Sequence, residues 1–543
     1  MKPIPVGIQD FKSVRNKGYY FVDKSMLIGQ ILDQFPEDGV FLYTRPRRFG
    51  KSLNLSMLDA FFNLEYKGNT WFDGLEISKH PEYDCYKNAF PVISISLKLG
   101  NPRNFEYFIE LFNVMLKKTF KKFTYLRDSP EIDKDTKKDF NRYYSGKKTV
   151  VDSMIALSDL CSMLESHHKS KVIVLIDEYD GTVNDVTDKE LRREIVSFLG
   201  DVLSPLLKEG TSRQLGVVTG ITQITKENIF SGVNNFTRND IFDVEYDEMF
   251  GFTNEEVKQI CADYGHPEKF EEAKEWYDGY RFGDADIYNP WSILNYVQKN
   301  FKPETYWVNT SGNEAIYKML LEADSELTDN LKILGAGGTV SEEVSRTLTF
   351  DDLEDIGKVY SLMALAGYLK AIPKGQLYEL SIPNRELFFV FSEMLNRVAF
   401  KGGSSSKLLS FTDAIKANDV VAMKDALYEL IVMLSSRVLN DEHSYQAFIT
   451  GMLMNLCGSY EIRADFENGD GYYDIMMPKR KGDSPNIVIE LKRSENDGHL
   501  ENDAKAVLQQ IKDRDYAHGL EGKIILYGIA FSGKKPFIIS EEI

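Results

Sequence analysis

The chain has 543 residues, 43% hydrophobic and 27% charged, with a formal net charge of −18. That length suits about three to four domains with large cores, and no stretch approaches ~20 uninterrupted apolar residues, so no membrane span is expected. Non-specific coating of nucleic acid relies on Lys and Arg, so any nucleic-acid activity must use a local basic patch against a repelling background.

The opening MKPIPVGIQDFKSVRNKGYY is too polar for a signal peptide. Cys85, Cys161, Cys261 and Cys457 are far apart and form no ligand cluster. Buried structural thiols in a reducing, cytoplasmic setting are the expectation. After a turn and the extended segment Tyr19–Val22, a helix capped by Asp23 or Ser25 is predicted. Val40–Asn54, VFLYTRPRRFGKSLN, then reads as a buried strand, a turn closed by Gly50-Lys51-Ser52, and an amphipathic helix. That context suits a phosphate-binding loop. A helix N-terminus offers free N–H groups, the lysine neutralises phosphate, and the serine hydroxyl ligates Mg²⁺. The usual pattern opens with glycine, where this chain has Arg45.

Phe90–Leu97 reads as a second buried strand, Phe105–Phe123 as a helix, and the lysine-rich stretch Arg127–Lys148 as a solvated helix pair. Lys171–Asp180, KVIVLIDEYD, is a central parallel strand ending in carboxylates. Ligands bind at such strand ends. Asp177 suits a Mg²⁺-associated aspartate and Glu178 a water-activating base. Gln214–Thr222 is another strand, whose Thr219 or Thr222 is placed to sense a γ-phosphate.

RPRRFGKSL, VLIDEYD, TGIT…IFSGVNN, FGFTNEEV, WYDGYRFG and YNPWSILNY, with GIQDF and YYFVDKS before them, resemble the AAA-ATPase-like family in the same order. Its members commonly carry a C-terminal PD-(D/E)XK nuclease-like domain. The resemblance makes Arg45 a feature of the family pattern and implies an ATPase core related to AAA+ and STAND modules. The expected ATP-binding set is Arg48, Phe49, Gly50, Lys51, Ser52, Leu53, Asp177 and Thr219, with Ser52 and Asp177 on Mg²⁺.

Beyond Phe250 the strand pattern stops, and Asn254–Tyr264, Phe270–Tyr277 and Pro290–Lys299 read as lid helices, the first capped by Thr253 or Asn254. Arg281, inside WYDGYRFG, reads either as a sensor arginine or as a turn residue stacked on aromatics. Thr310–Leu331 continues helical, and LGAGGT (Leu334–Thr339) reads as a linker. Phe350–Ile382 reads as two helices and a hairpin, a winged-helix-like module for packing. Glu386–Val398 and Phe411–Leu439 read as helices, and Gly402–Ser406 as a flexible break.

From Asp441 a second chemistry appears. Tyr445–Leu456 is an amphipathic helix preceded by Glu442. Tyr472–Met477 and Ile487–Lys492 are strands which, as a hairpin centred near Gly482, set Asp474 opposite Glu490. Alternation puts Lys492 on the face of Glu490. Two carboxylates and a lysine can hold a divalent metal and a water. The resemblance assigns Asp474, Glu490 and Lys492 to a PD-(D/E)XK centre, with Asp474 and Glu490 on the metal, Tyr473 in place of the motif's proline, and Gln510 near the centre. Glu442 is a candidate further carboxylate.

The fold class expected is α/β. A P-loop parallel-sheet domain (1–249) precedes a helical lid (250–332), a winged-helix-like segment (333–402), a helical linker (403–440) and a small restriction-endonuclease-like α/β domain (441–543). The function expected is an ATPase joined to a Mg²⁺-dependent nuclease. The partner is nucleic acid, DNA in the first place, and self-association is left open. The alternative is a nucleotide-switched interaction protein whose nuclease fold only binds.

Overall fold

The computed structural model describes residues 1–34, 39–145, 148–208, 212–222, 230, 233, 236–307, 316, 319–320, 325–335, 337–349, 352, 355–391, 405–432, 442–453, 456, 459–468, 471–480 and 484–543. The chain forms two compact units, Met1–Ala315 with Glu342–Tyr378, and Ile316–Ser341 with Glu379–Ile543.

The first unit is built on a parallel sheet. Its elements are α1 (Phe11–Asn16), α2 (Met26–Gln34), β1 (Gly39–Thr44), α3 (Lys51–Phe62), β2 (Val92–Ser96), α4 (Phe105–Lys122), α5 (Lys134–Ser145), α6 (Val150–His168), β3 (Val172–Asp177), α7 (Gly181–Asp185), α8 (Lys189–Leu207), β4 (Arg213–Gly220) and β5 (Phe236–Asn239). The strand order is β2-β3-β4-β1-β5, with every neighbouring pair parallel. Every residue of β1 is buried and β3 is buried up to Asp177, which requires cover on both faces and explains their unbroken apolar runs. β4 lies between β1 and β3, so the Gly-Lys-Ser turn and the Asp-Glu pair emerge at the same sheet edge, separated by one strand.

The region after Phe250 is not purely helical. It holds β6 (Phe252–Thr253), α9 (Asn254–Asp263), α10 (Phe270–Tyr277), β7 (Tyr280–Phe282), β8 (Ala285–Tyr288) and α11 (Pro290–Gln298), the strands pairing in the order β6-β8-β7. Strands this short leave no readable period-two pattern. Thr253 caps α9 in a reciprocal box with Glu256. Arg281 lies on β7 and pairs with Asp286 at 3.2 Å and Asp284 at 3.6 Å. Among the described residues of 350–382, the stretch read as two helices and a hairpin, there is one α-helix, α12 (Val359–Ala366), entered by a 3₁₀ turn (Ile356–Lys358) and followed by strands Lys370–Lys374 and Leu377–Ser381; residues 385–391 are again helical. The helix Ser325–Gly335 runs into the stretch read as a glycine linker.

The second unit contains α13 (Ser405–Lys416), α14 (Val420–Val432), α15 (Glu442–Leu453), β9 (Arg463–Asn468), β10 (Gly471–Met477), β11 (Asn486–Arg493), α16 (Leu500–Asp513), β12 (Ile524–Ser532) and β13 (Lys535–Glu542). The sheet order is β9-β10-β11-β12-β13, with β11 and β12 parallel and the other pairs antiparallel. Residues 402–404 of the predicted break and Gly482 of the predicted hairpin turn lie outside the described residues. Ser405 and Ser406 begin α13. α13 and α14 belong to this unit's core, since the Tyr527 hydroxyl donates to the Ile415 carbonyl at 3.1 Å.

Cys161 and Cys261 are buried, but Cys85 is exposed in a 3₁₀ turn (Pro81–Tyr86), contrary to the expectation of burial, and Cys457 lies outside the described residues. Among the described residues no helix is long and apolar enough to cross a membrane.

Candidate functional site

β1 delivers the chain into a tight loop that ends in the first turn of α3. Gly50 sits at φ +84° as the N-cap residue, a left-handed conformation that glycine adopts without a Cβ penalty. Arg48 also has positive φ, +71°. Lys51 is buried, and its Nζ folds back onto the Arg45 and Pro46 carbonyls, 2.8 Å each. Burial pushes its pKa down to about 8, with Asp177 and Asp180 opposing that shift.

Asp177 joins the three elements. Its carboxylate accepts from the Ser52 hydroxyl at 2.6 Å through one oxygen and from the Thr219 hydroxyl at 2.6 Å through the other. Loop, β3 and β4 therefore meet at one carboxylate. This set of hard oxygen donors suits Mg²⁺. Glu178 is next, at φ +48°, 3.4 Å from Lys98 Nζ beyond the end of β2. A left-handed non-glycine residue costs about 1–3 kcal/mol and persists where surrounding structure enforces it. Asp180 is buried and accepts from the N–H groups of Ile221 and Thr222, both 2.9 Å, and from the Thr222 hydroxyl at 3.0 Å. Thr222 is thus held by Asp180, whereas Thr219 is on Asp177.

Beside these groups lies a cleft of about 300 Å³ lined by Arg47, Arg48, Lys51, Ser52, Lys98 and Glu178, by Gly7–Gln9, and by Trp291 and Leu294 of α11. Arg48 stacks on Trp291, 4.0 Å from the ring centroid. Gly50 and Leu53 also line the cleft. The Phe49 side chain is buried against Tyr280 and Phe282, so only its backbone is available to a ligand. Arg45 points away from the cleft. Fully buried, it donates to the Thr44 and Asn239 carbonyls and to Asn239 Oδ1 at 2.5 Å, and lies over the rings of Phe250 and Phe282. Arg281 is not among the lining residues. Sequence reasoning missed Lys98, Trp291 and Gly7–Gln9 as lining groups, because each is brought in by tertiary contact.

In the second unit β10 and β11 pair antiparallel with Ile475 opposite Ile489, the register in which Asp474 and Glu490 face each other. The carboxylates sit within the ladder's own hydrogen bonds: Asp474 N–H donates to Glu490 Oε2 at 3.2 Å, and Leu491 N–H to Asp474 Oδ2 at 2.7 Å. Gln510 Nε2 donates to Glu490 Oε1 at 2.6 Å. Glu490 is buried, and burial raises its pKa first, the Asp474 charge second. Lys492 is half exposed, 3.5 Å from Glu442 Oε2, and Arg493 N–H donates to the same oxygen at 3.1 Å. Ile489 and Leu491 are buried on the opposite face. The arrangement brings Asp474, Glu490 and Gln510 together and ties Lys492 to α15 through Glu442. Two carboxylates set side by side supply the hard oxygen donors that a divalent cation takes.

Comparisons with known proteins agree with both halves. Residues 5–230 match the family described as Predicted AAA-ATPase, and residues 440–541 match the PD-(D/E)XK nuclease superfamily. The chain thus carries one region similar to predicted AAA-ATPases and, after it, a second similar to the PD-(D/E)XK nuclease superfamily. A relative from Azotobacter chroococcum mcd 1, "Uncharacterized protein in vnfD 5'region", is 24% identical over 567 residues, covering 98% of this chain and 96% of that protein.

Proposed function

We propose that the first unit binds and hydrolyses ATP with Mg²⁺, and that the C-terminal domain is a Mg²⁺-dependent nuclease of nucleic acid. The observation that carries the first half is the double hydrogen bond of Asp177 to Ser52 and Thr219, beside a buried lysine parked on loop carbonyls. In this reading Lys51 leaves those carbonyls for phosphate oxygens, and the backbone N–H groups of Arg48 to Leu53 cradle the phosphates. Ser52 and Asp177 hold the metal, which supplies charge neutralisation when bound. Glu178 orients and deprotonates the attacking water, and Thr219 positions Asp177 and senses the γ-phosphate.

For the second half, Asp474 and Glu490 are the metal-binding pair and Lys492 is the cation that steadies the attacking water. A metal held there would supply a lowered water pKa, and Gln510 fixes the rotamer of Glu490. Lys51→Ala is expected to abolish ATP binding, and Glu178→Gln to bind but hydrolyse slowly; unchanged turnover in both removes the ATPase reading. Cleavage of DNA and RNA in Mg²⁺ or Mn²⁺, with and without ATP, is compared between the intact chain and Lys492→Ala, and equal traces remove the nuclease reading.

A second reading, a nucleotide-switched interaction protein whose nuclease fold only binds, has two observations in its favour. Lys492 is engaged by Glu442, and residues 441–543 hold 18 acidic against 12 basic side chains, a net of −6. Retained nucleic-acid binding without cleavage in the same assay selects it.

A further inference from the structure

α16 carries Gln510 to Glu490, and Arg514 follows one turn later as its C-cap residue. Residues four apart share a helix face, and the Arg514 N–H donates to the Gln510 carbonyl at 3.1 Å. The guanidinium is anchored at one end only. Its Nη1 donates to the Tyr516 hydroxyl at 3.0 Å, and Tyr516 is fully buried with its ring 6.2 Å from that of Tyr473. Arg514 itself is exposed, and its Nε and Nη2 have no partner among the described residues. Lys492, by contrast, is held at Glu442. The centre therefore has a lysine tied to α15 and a pre-oriented arginine at the C-cap of α16.

We propose that Arg514 holds a phosphodiester oxyanion of a nucleic-acid strand beside Asp474 and Glu490. A planar guanidinium with free donors on one edge matches the two non-bridging oxygens of a phosphate, which an ammonium does not. The Tyr516 hydroxyl limits its rotation, so less freedom is lost when phosphate arrives. This assignment rests on the nuclease-like reading of the C-terminal domain. The competing structural role is a cation at the C-terminal end of α16, favoured by the helix dipole. Arg514→Lys separates the two, because it keeps the charge and removes the fork.

The test uses the full-length chain. Labelled single-stranded and duplex oligonucleotides are titrated in Ca²⁺, and KM and kcat for cleavage are measured in Mg²⁺ and Mn²⁺. Arg514→Ala is expected to raise Kd and KM by roughly tenfold or more at an unchanged melting temperature. Arg514→Lys is expected to recover only part of the loss, and Tyr516→Phe to give an intermediate loss. Affinity and KM within twofold of wild type for Arg514→Ala, or full recovery by lysine, overturns the assignment. Wild-type protein that binds without cleaving overturns the nuclease reading alone, and the binding arm still decides Arg514. Wild-type protein that binds neither oligonucleotide overturns both.

Discussion

Lys51 is a cation kept in reserve. It is buried with its ammonium on two carbonyls, and desolvation holds its pKa near 8. A bound polyphosphate favours the charged form and raises that pKa. ATP binding should therefore take up a proton above pH 8 and take up none through Lys51 well below it. Affinity is expected to be flat below about pH 8 and to fall by up to roughly tenfold per unit above it. Isothermal titration in two buffers of different ionisation enthalpy reads the proton count directly. Glu178→Gln removes the proposed base and leaves the left-handed backbone and most of the cleft in place, so ATP affinity should hold while turnover falls by about 10²–10⁴. Single-turnover hydrolysis against equilibrium binding separates the two effects.

At the scale of elements, contacts between strand ends decide how well the site holds its shape. Tyr179 donates its hydroxyl to the Thr222 carbonyl at 2.7 Å, and its ring lies where a Cβ on Gly220 would be, at 2.4 Å. Gly220→Ala is expected to push the Asp-Glu turn off β4 and cost about 1–3 kcal/mol, seen as a lower denaturation midpoint together with weaker ATP turnover. Across the sheet, Arg346 grips the buried Asp240 with two bonds of 2.8 and 2.9 Å, next to Asn239, which holds Arg45. Arg346→Ala strands that carboxylate. A loss of about 2–3 kcal/mol is expected in urea unfolding, and Asp240→Asn in the same background should recover part of it.

How much of this was legible depended on whether a feature is written in local pattern. The buried strands β1 and β3, the helices α9, α10 and α11 and an N-cap at Thr253 follow from apolar runs and cap residues. The facing of Asp474 and Glu490 followed from counting back from Gly482, because antiparallel register is arithmetic once the turn is placed. What was missed is either too short or depends on tertiary contact. β5, FTRN, is a four-residue edge strand with no apolar run. β6, β7 and β8 have two to four residues each. Lys98, Trp291 and Arg514 reach their sites from elements whose placement no spacing encodes.

For the whole molecule, the partition into two units has a practical consequence. The superfamily match begins at residue 440, yet the second unit also takes in Ile316–Ser341 and Glu379 onward. Met423, Leu427, Leu430 and Ile431 of α14 are buried. A fragment starting at residue 441 loses α13 and α14 and exposes the apolar surface they cover. It should be less soluble and melt lower than one starting at residue 379, as expression yield and thermal unfolding of the two fragments would show. Similar behaviour of both would mean that α13 and α14 are dispensable to the fold.

Arg45 replaces the glycine with which such loops usually begin. A glycine there leaves the empty loop with backbone freedom that a ligand must remove on arrival. Here that freedom is removed during folding, by the bonds to Asn239 and the Phe250 and Phe282 rings. Nucleotide should therefore meet a template that is already set, with little ordering entropy opposing association. Calorimetry should then give a heat-capacity change no larger than the apolar surface of one nucleotide accounts for, without the excess that accompanies a segment folding around its ligand.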